Sequence, residues 1–442
     1  HSVGDEVECF CETALHSVAV EDLSIPIIRR DCPNSVTLYP PTISVESMRP
    51  SPEIDELVPP DRTLMGPGPS DVHPRVLRAM ATPLVGYLDD YYVEVMNDIK
   101  EGLRYLFQTD NTYTFAVSGT GSAAMETAFA NLVEPDETVL VPSNGYFGYR
   151  MKEMAQSAGG DVVMVDAPWG EALDPADVET AFETHDPSVF AYVHGETSTG
   201  VCQPDADVLS DIAHEYGAIT IADTVPSLGG VEFLTDEWDV DVVYSGAQKC
   251  LSAPLGASPI TFGERAMDKI RNRDSPVRSW YLDLDGIWEY WGDDHGYHHT
   301  GPISTMYAIR EALRLVIEEG LEARWARHRH VAGALKAGLE AMGAPLFVEE
   351  DAWLPSLNAV SVPDGVDDGR VTERMLDEHG IEIVAGLGPL DGDIFRVGCM
   401  GHSCQPGNVM GFVSAFGAVL EDEGDDVDPD AGVRATARAL DA

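Results

Sequence analysis

The sequence predicts an α/β fold: a large domain built on a mainly parallel sheet flanked by helices, followed by a smaller α+β domain. Three observations predict it. From about Leu64, short β-branched runs alternate with helical patterns, the order that builds parallel sheets with crossover helices. After Gly301 the order changes to long helices, then strands, then a helix. A chain of 442 residues is long enough to bury a large core and divide into two domains.

The expected strands of the large domain are residues 114–117, 138–141, 161–165, 189–194, 219–222, 240–244 and 258–262, with helices such as 122–132 and 206–215 between them. The second domain is expected to hold a helical region over 304–341 broken near Gly320, strands at 358–361, 381–384 and 394–397, and a helix over 407–421. Residues 1–47 show neither a helical nor a strand period and read as an N-terminal extension. The large domain then runs over 48–300 and the smaller one over 301–421, and 422–442 reads as an acidic tail.

Charge sets the next boundary. The chain carries 76 acids against 27 bases, a formal net charge of -49, and only five of those bases are lysines. The acids are spread along the whole chain, and such self-repulsion is relieved in concentrated salt. An acidic, lysine-poor surface around an ordinary core therefore reads as adaptation to a salt-rich cytoplasm. Nucleic acid is not expected as a partner, because phosphate contacts need basic patches. No apolar run reaches the ~18 residues a membrane span needs, and neither the basic start nor the apolar core of a secretory signal is visible. The seven cysteines do not look like a disulfide framework. Cys9, Cys11 and Cys32 lack a second pair at zinc spacing, and no metal is expected.

Three segments carry chemistry. In 242–250, VVYSGAQKC, a buried-looking strand runs through small residues to Lys249. Apolar neighbours favour the neutral amine, the form that attacks an aldehyde; a surface lysine with a buried stem is the bland alternative. In 219–227, ITIADTVPS, Asp223 stands at the end of an apolar strand, where open α/β sheets place ligand contacts. In 118–122, SGTGS joins a strand to a helix, and its free amides suit a phosphate. The same turn fits the dinucleotide pattern G-x-G-x-x-A, but the next strand ends VPSNG without the acid that pattern requires.

Phosphate turn, strand-end aspartate and lysine in that order resemble the fold-type I pyridoxal-phosphate enzymes, in particular the class V aminotransferases of the alanine–glyoxylate and serine–pyruvate kind. The resemblance runs from Met65 to about Leu420. It is carried by SGTGSAAMETA (118–128), NGYFGYR (144–150), HGETSTGV (194–201), DTVPSLGG (223–230), YSGAQKC (244–250) and YHHTGP (297–302).

The resemblance implies pyridoxal 5'-phosphate as cofactor, with Lys249 as its Schiff-base lysine and Asp223 at the pyridine nitrogen, the latter keeping the ring able to accept electrons. It implies Val225 on one face of the ring, Phe147 on the other and Thr197 at the ring oxygen. Gly121, Ser122 and Gln248 would contact the phosphate. Tyr297 and Thr300 match residues that reach the phosphate of a neighbouring subunit, so the resemblance also implies a homodimer with shared sites. Arg396, inside the apolar strand IFRVG, would take the substrate carboxylate, a bidentate partner for a guanidinium. Gly68 and Tyr87 would border the substrate. Gly86-Tyr87 and the stretch through Met400 depart from the common pattern, which leaves the substrate side chain open. His298 and His299 lack a third ligand at metal spacing.

The expected reaction is a ping-pong transamination from a small amino acid, alanine or serine, to glyoxylate or pyruvate. A lyase or cysteine desulfurase on the same fold is the alternative, with Cys404 as its loop cysteine and the neighbouring His402 to lower its pKa.

Overall fold

The computed structural model describes Arg49 and residues 51–442. Expectations for Cys9, Cys11, Cys32 and the extension 1–47 lie outside the described residues.

Seven strands form the central sheet: β1 (Tyr113–Val117), β2 (Thr138–Ser143), β3 (Asp161–Asp166), β4 (Val189–Val193), β5 (Ile219–Asp223), β6 (Val242–Tyr244) and β7 (Ser258–Phe262). Their spatial order is β1-β7-β6-β5-β4-β2-β3. Neighbours from β6 to β3 run parallel, whereas β7 is antiparallel to both β6 and β1. β4, β5 and β6 are buried at every residue, which is why they read as unbroken apolar runs rather than alternating ones. β3 is half-exposed along its length, as an edge strand can be.

β6 begins at Val242, two residues later than expected. Asp241 explains the shift: its carboxylate accepts from the Thr220 amide (2.9 Å), and its own amide donates to Thr220 Oγ1 (2.8 Å). Side-chain bonds thus replace the first rung of the ladder.

After Gly301 the helix Ile303–Glu319 still packs into the large core, and the helix Leu321–Met342 opens a second one around Leu335, Met375, Phe395 and Phe416. A three-stranded antiparallel sheet joins β8 (Leu357–Ser361), β10 (Ile394–Gly398) and β9 (Val384–Ala385) in that order. The single strand expected over 381–384 is split. Ile381–Glu382 pairs in parallel with Thr63–Leu64, far upstream, and β9 pairs with β10.

The acidic stretch from 422 is not a tail throughout. Pro429–Leu440 is a helix, capped by Asp428, whose side chain accepts from the Ala431 amide at 2.8 Å. It packs on the helices Leu321–Met342 and Pro406–Asp422. Val433 and Leu440, seven residues apart, face the second core; the acids before them mask that period in the sequence.

Candidate active site

The C-terminal ends of β5 and β6 meet a phosphate-type turn and a strap from residues 65–71. Asp223 closes β5 and lies in register with Tyr244, the last residue of β6. Its carboxylate is buried and held on both oxygens: Oδ1 accepts from the Val225 amide (2.8 Å) and Oδ2 from the Tyr244 hydroxyl (3.0 Å). Burial pushes Asp223 up to about 7, against the pull of those two donors and the nearby Lys249 charge.

Lys249 follows β6 in a short turn. Its main chain is pinned from the strap, where the Ser70 amide donates to Gln248 O (2.9 Å) and Ser70 Oγ to Lys249 O (2.8 Å). Its Nζ donates to Pro67 O. Burial holds the ammonium down at about 8; Asp223 opposes that shift, and Arg396 adds to it slightly. Gly68 has φ of +119°, and a β-carbon there would sit 2.8 Å from Nζ. Only glycine gives both that backbone and that space.

The turn 118–122 lies alongside. Thr120 offers no side-chain cap to the helix Gly121–Leu132, so the amides at its start face outward with the positive end of the helix dipole. Gly121 lies against Val225 and Gly246. Gln248 is half-buried, and among the described residues its buried Oε1 has no partner; rotating the amide would present Nε2 as a donor instead. Ser118 Oγ bonds His299 Nε2 (2.7 Å), and His299 Nδ1 meets His298 Nδ1 at 2.9 Å. The adjacent histidines thus face each other and buttress the turn.

Phe147 stands in the first turn of the helix Tyr146–Ala158, whose N-cap, Gly145, has no side chain to bond its amides. Another loop supplies the caps: Ser198 Oγ accepts from the Tyr146 amide (2.9 Å), and the buried Glu196 carboxylate accepts from Phe147 (3.0 Å). Thr197, between those two residues, is buried as well. Burial raises the Glu196 pKa, which bonds from Ser198, Phe147 and Gly148 offset in part.

Arg396, on β10, is largely buried, and its Nε donates to Ala385 O at 2.8 Å. Among the described residues no carboxylate forms an ion pair with it, and neither Nη group is hydrogen-bonded. Burial lowers its pKa while the Glu196 charge supports it.

Residues 76–389 match the family model for aminotransferase class-V. The chain belongs to the class-V aminotransferases. The (S)-ureidoglycine–glyoxylate transaminase of Bacillus subtilis is 41% identical over 383 residues, 83% of this chain and 92% of that protein. The alanine–glyoxylate aminotransferase of Drosophila melanogaster is 41% identical over 348 residues, 78% of this chain and 88% of that one. The crystal structure of an alanine–glyoxylate aminotransferase from Nostoc sp. superposes with a TM-score of 0.82 at 46% identity, covering 83% of this chain and 97% of that one. Class-V aminotransferases are pyridoxal-phosphate enzymes of fold type I, and this chain is a transaminase of that kind.

Within this aminotransferase, Lys249, Asp223, Val225, Gly121, Gln248 and Gly68 gather at the C-terminal ends of the central strands β5 and β6, and the Arg396 charge bears weakly on Lys249. Tyr87, Tyr297 and Thr300 form a separate group toward the surface: the two tyrosine rings lie 5.2 Å apart, and Tyr297 Oη is 3.2 Å from Thr300 Oγ1. Cys404 is fully buried, with its sulfur 3.0 Å from that of Cys399. It is not the accessible loop thiol that a desulfurase needs. Sequence alone gives Tyr244, Glu196, Ser198 and Ser70 no role, although the first three stand inside YSGAQKC and HGETSTGV.

Proposed function

We propose that this aminotransferase moves an amino group from a small amino acid, alanine or serine, to a 2-oxo acid, with glyoxylate the leading acceptor. The observation that carries this reading is the grouping of a desolvated Lys249, a buried Asp223 and an uncapped helix N-terminus at the C-terminal ends of the central strands, with Arg396, which among the described residues has no ion-pair partner, beside them.

The residues fit pyridoxal phosphate. The open amides at Gly121 and Ser122 and the unpartnered Gln248 amide suit its phosphate; Val225, Phe147 and Thr197 would enclose the ring, with Asp223 at the ring nitrogen. When bound, the cofactor supplies an aldehyde that takes the amino group and a protonated ring that accepts electrons. Lys249 Nζ is held neutral enough to accept the α-proton of the substrate and to return one. Arg396 offers both Nη groups to the substrate carboxylate and so orients the α-carbon. Pro67 and Gly68 of the strap lie against Nζ and shield it from water.

Glyoxylate is common to the names of the relatives described above, and ureidoglycine is the donor in the name of the Bacillus protein. Purified in concentrated salt, the enzyme should form glycine from glyoxylate with alanine or serine as donor and lose its yellow colour with either. Faster glycine formation from (S)-ureidoglycine would replace the donor. Failure of every donor to discharge the colour, or a Lys249→Ala protein that keeps the wild-type visible band, overturns the reading.

A homodimer belongs to the proposal. Leu84, Leu88, Tyr91, Trp280, Tyr281 and Tyr297 are exposed, an apolar surface of the sort that a partner covers. Tyr297 and Thr300 would then reach the partner's phosphate. Function in a salt-rich cytoplasm is likewise proposed, on the strength of the net charge of -49.

A further inference from the structure

Among the described residues the Tyr244 hydroxyl has one partner, and it is Asp223. The two residues pair in register across parallel strands, so their side chains leave the same face of the sheet. Thr224 fixes that register: its amide and its Oγ1 both donate to Tyr244 O, at 2.9 and 2.8 Å. Ser245 Oγ adds a bond back to Thr224 O at 3.0 Å. The phenol therefore has little freedom to leave the carboxylate.

We propose that Tyr244 is a positioning residue for transamination: its hydroxyl orients Asp223 and favours the ionised carboxylate, and so keeps the cofactor's ring nitrogen protonated. This rests on the reading of Asp223 as the partner of that nitrogen. The opposing forces on Asp223 make the donor consequential. Burial and the nearby Glu196 favour the neutral acid, and a neutral acid cannot hold a proton on the ring. Among the described residues the Val225 amide, the Tyr244 hydroxyl and the Lys249 charge favour the anion. The amide cannot be altered by mutation, which leaves Tyr244 as the adjustable member. Tyr244 is itself fully buried, and burial beside Asp223 raises its own pKa well above the ordinary tyrosine value. It donates throughout the working range and never competes for the negative charge.

The test uses the holoenzyme loaded with nitrogen-15 pyridoxal phosphate. Tyr244→Phe keeps the packed ring and removes one donor. The expected result is a ring-nitrogen shift moved from pyridinium toward pyridine and an amino-donor half-reaction slower by roughly 10- to 100-fold, the value of a hydrogen bond to a charged group. The donor KM should stay near wild type, because Arg396 is untouched. Asp223→Asn should move the shift the same way, and adding Tyr244→Phe to it should slow the reaction no further. A merely structural tyrosine would slow both backgrounds alike and leave the shift in place; either observation overturns the proposal. If Asp223→Asn itself leaves the pyridinium signal intact, the reading of Asp223 falls, and this proposal with it. Loss of the signal in Asp223→Asn but not in Tyr244→Phe overturns the tyrosine's role alone.

Discussion

The floor of the site and its rim are built differently. On the floor, Asp223, Tyr244 and the main chain around Lys249 are buried and held by bonds from adjacent strands and the strap. At the rim, Tyr297 is 56% exposed, and Tyr87 meets it ring to ring. One chain completes the floor. The rim presents aromatic surface with no cover from the described residues of the same chain. On the proposed reading, reaction chemistry is set by the ends of β5 and β6, and the shape of the substrate by loops that a second copy would finish.

The sharpest way to break this comparison is at the floor. Asp223→Asn should lower turnover on the order of a thousandfold, the scale of removing one preorganised charged contact, measured as glycine formation. The same change should not weaken the apoenzyme at pH 8. The folded-state pKa of Asp223 lies above its ordinary value, so the native state binds more protons than the unfolded one between about 4 and 7, and stability falls as pH rises through that window. Asparagine carries no such penalty. Thermal melts of both apoproteins check it, and an apoprotein destabilised by the change would mean that Asp223 is there for the fold.

Lys249 gives a graded test. With its amine at about 8, capture of pyridoxal phosphate by the apoenzyme should accelerate about tenfold per pH unit below that value and level off above it. An ordinary lysine would keep accelerating to about pH 10. Stopped-flow absorbance separates the two.

Gly398→Ala tests the strap that roofs the floor. A β-carbon there would lie 2.0 Å from Gly66 O, and the backbone shift should cost about 1–3 kcal/mol in a denaturant melt, with slower turnover as Gly68 is displaced. The smallest expected effect is at the rim. Tyr297→Phe should leave the melting curve unchanged and weaken cofactor retention several-fold, about the loss of one hydrogen bond. Equal retention in both proteins would mean that the rim tyrosine does not reach a phosphate.

The floor was legible in the sequence because strands buried on both faces read as apolar runs and because Lys249 is one of only five lysines. Placing Asp223 at the end of one strand and Lys249 after the next followed from that. Tyr244 was not legible in the same way: it stands in a quoted motif, but only the pairing register shows that it faces Asp223. Glu196 and Ser198 cap a helix some fifty residues upstream, a contact that no local period signals. The terminal helix was hidden by the acids before it, and the split of 381–385 depends on a partner at Thr63–Leu64.

That partner has a consequence for the order in which the protein comes into being. The residues leading into the strap pair with Ile381–Glu382 through Thr63–Leu64 and donate through Arg62 to Leu376 O at 2.6 Å, and the strap itself accepts from the Gly398 amide at Met65 O at 2.7 Å. A chain emerging from the ribosome exposes its N-terminal residues first. The lysine's own turn can form once the sheet is made, but its roof has nothing to rest on until more than three hundred further residues have followed the strap out. From the emergence of Lys249 to that of Ile381 its amine is unroofed, and without the burial that lowers its pKa it meets the cell's aldehydes only as an ordinary lysine would.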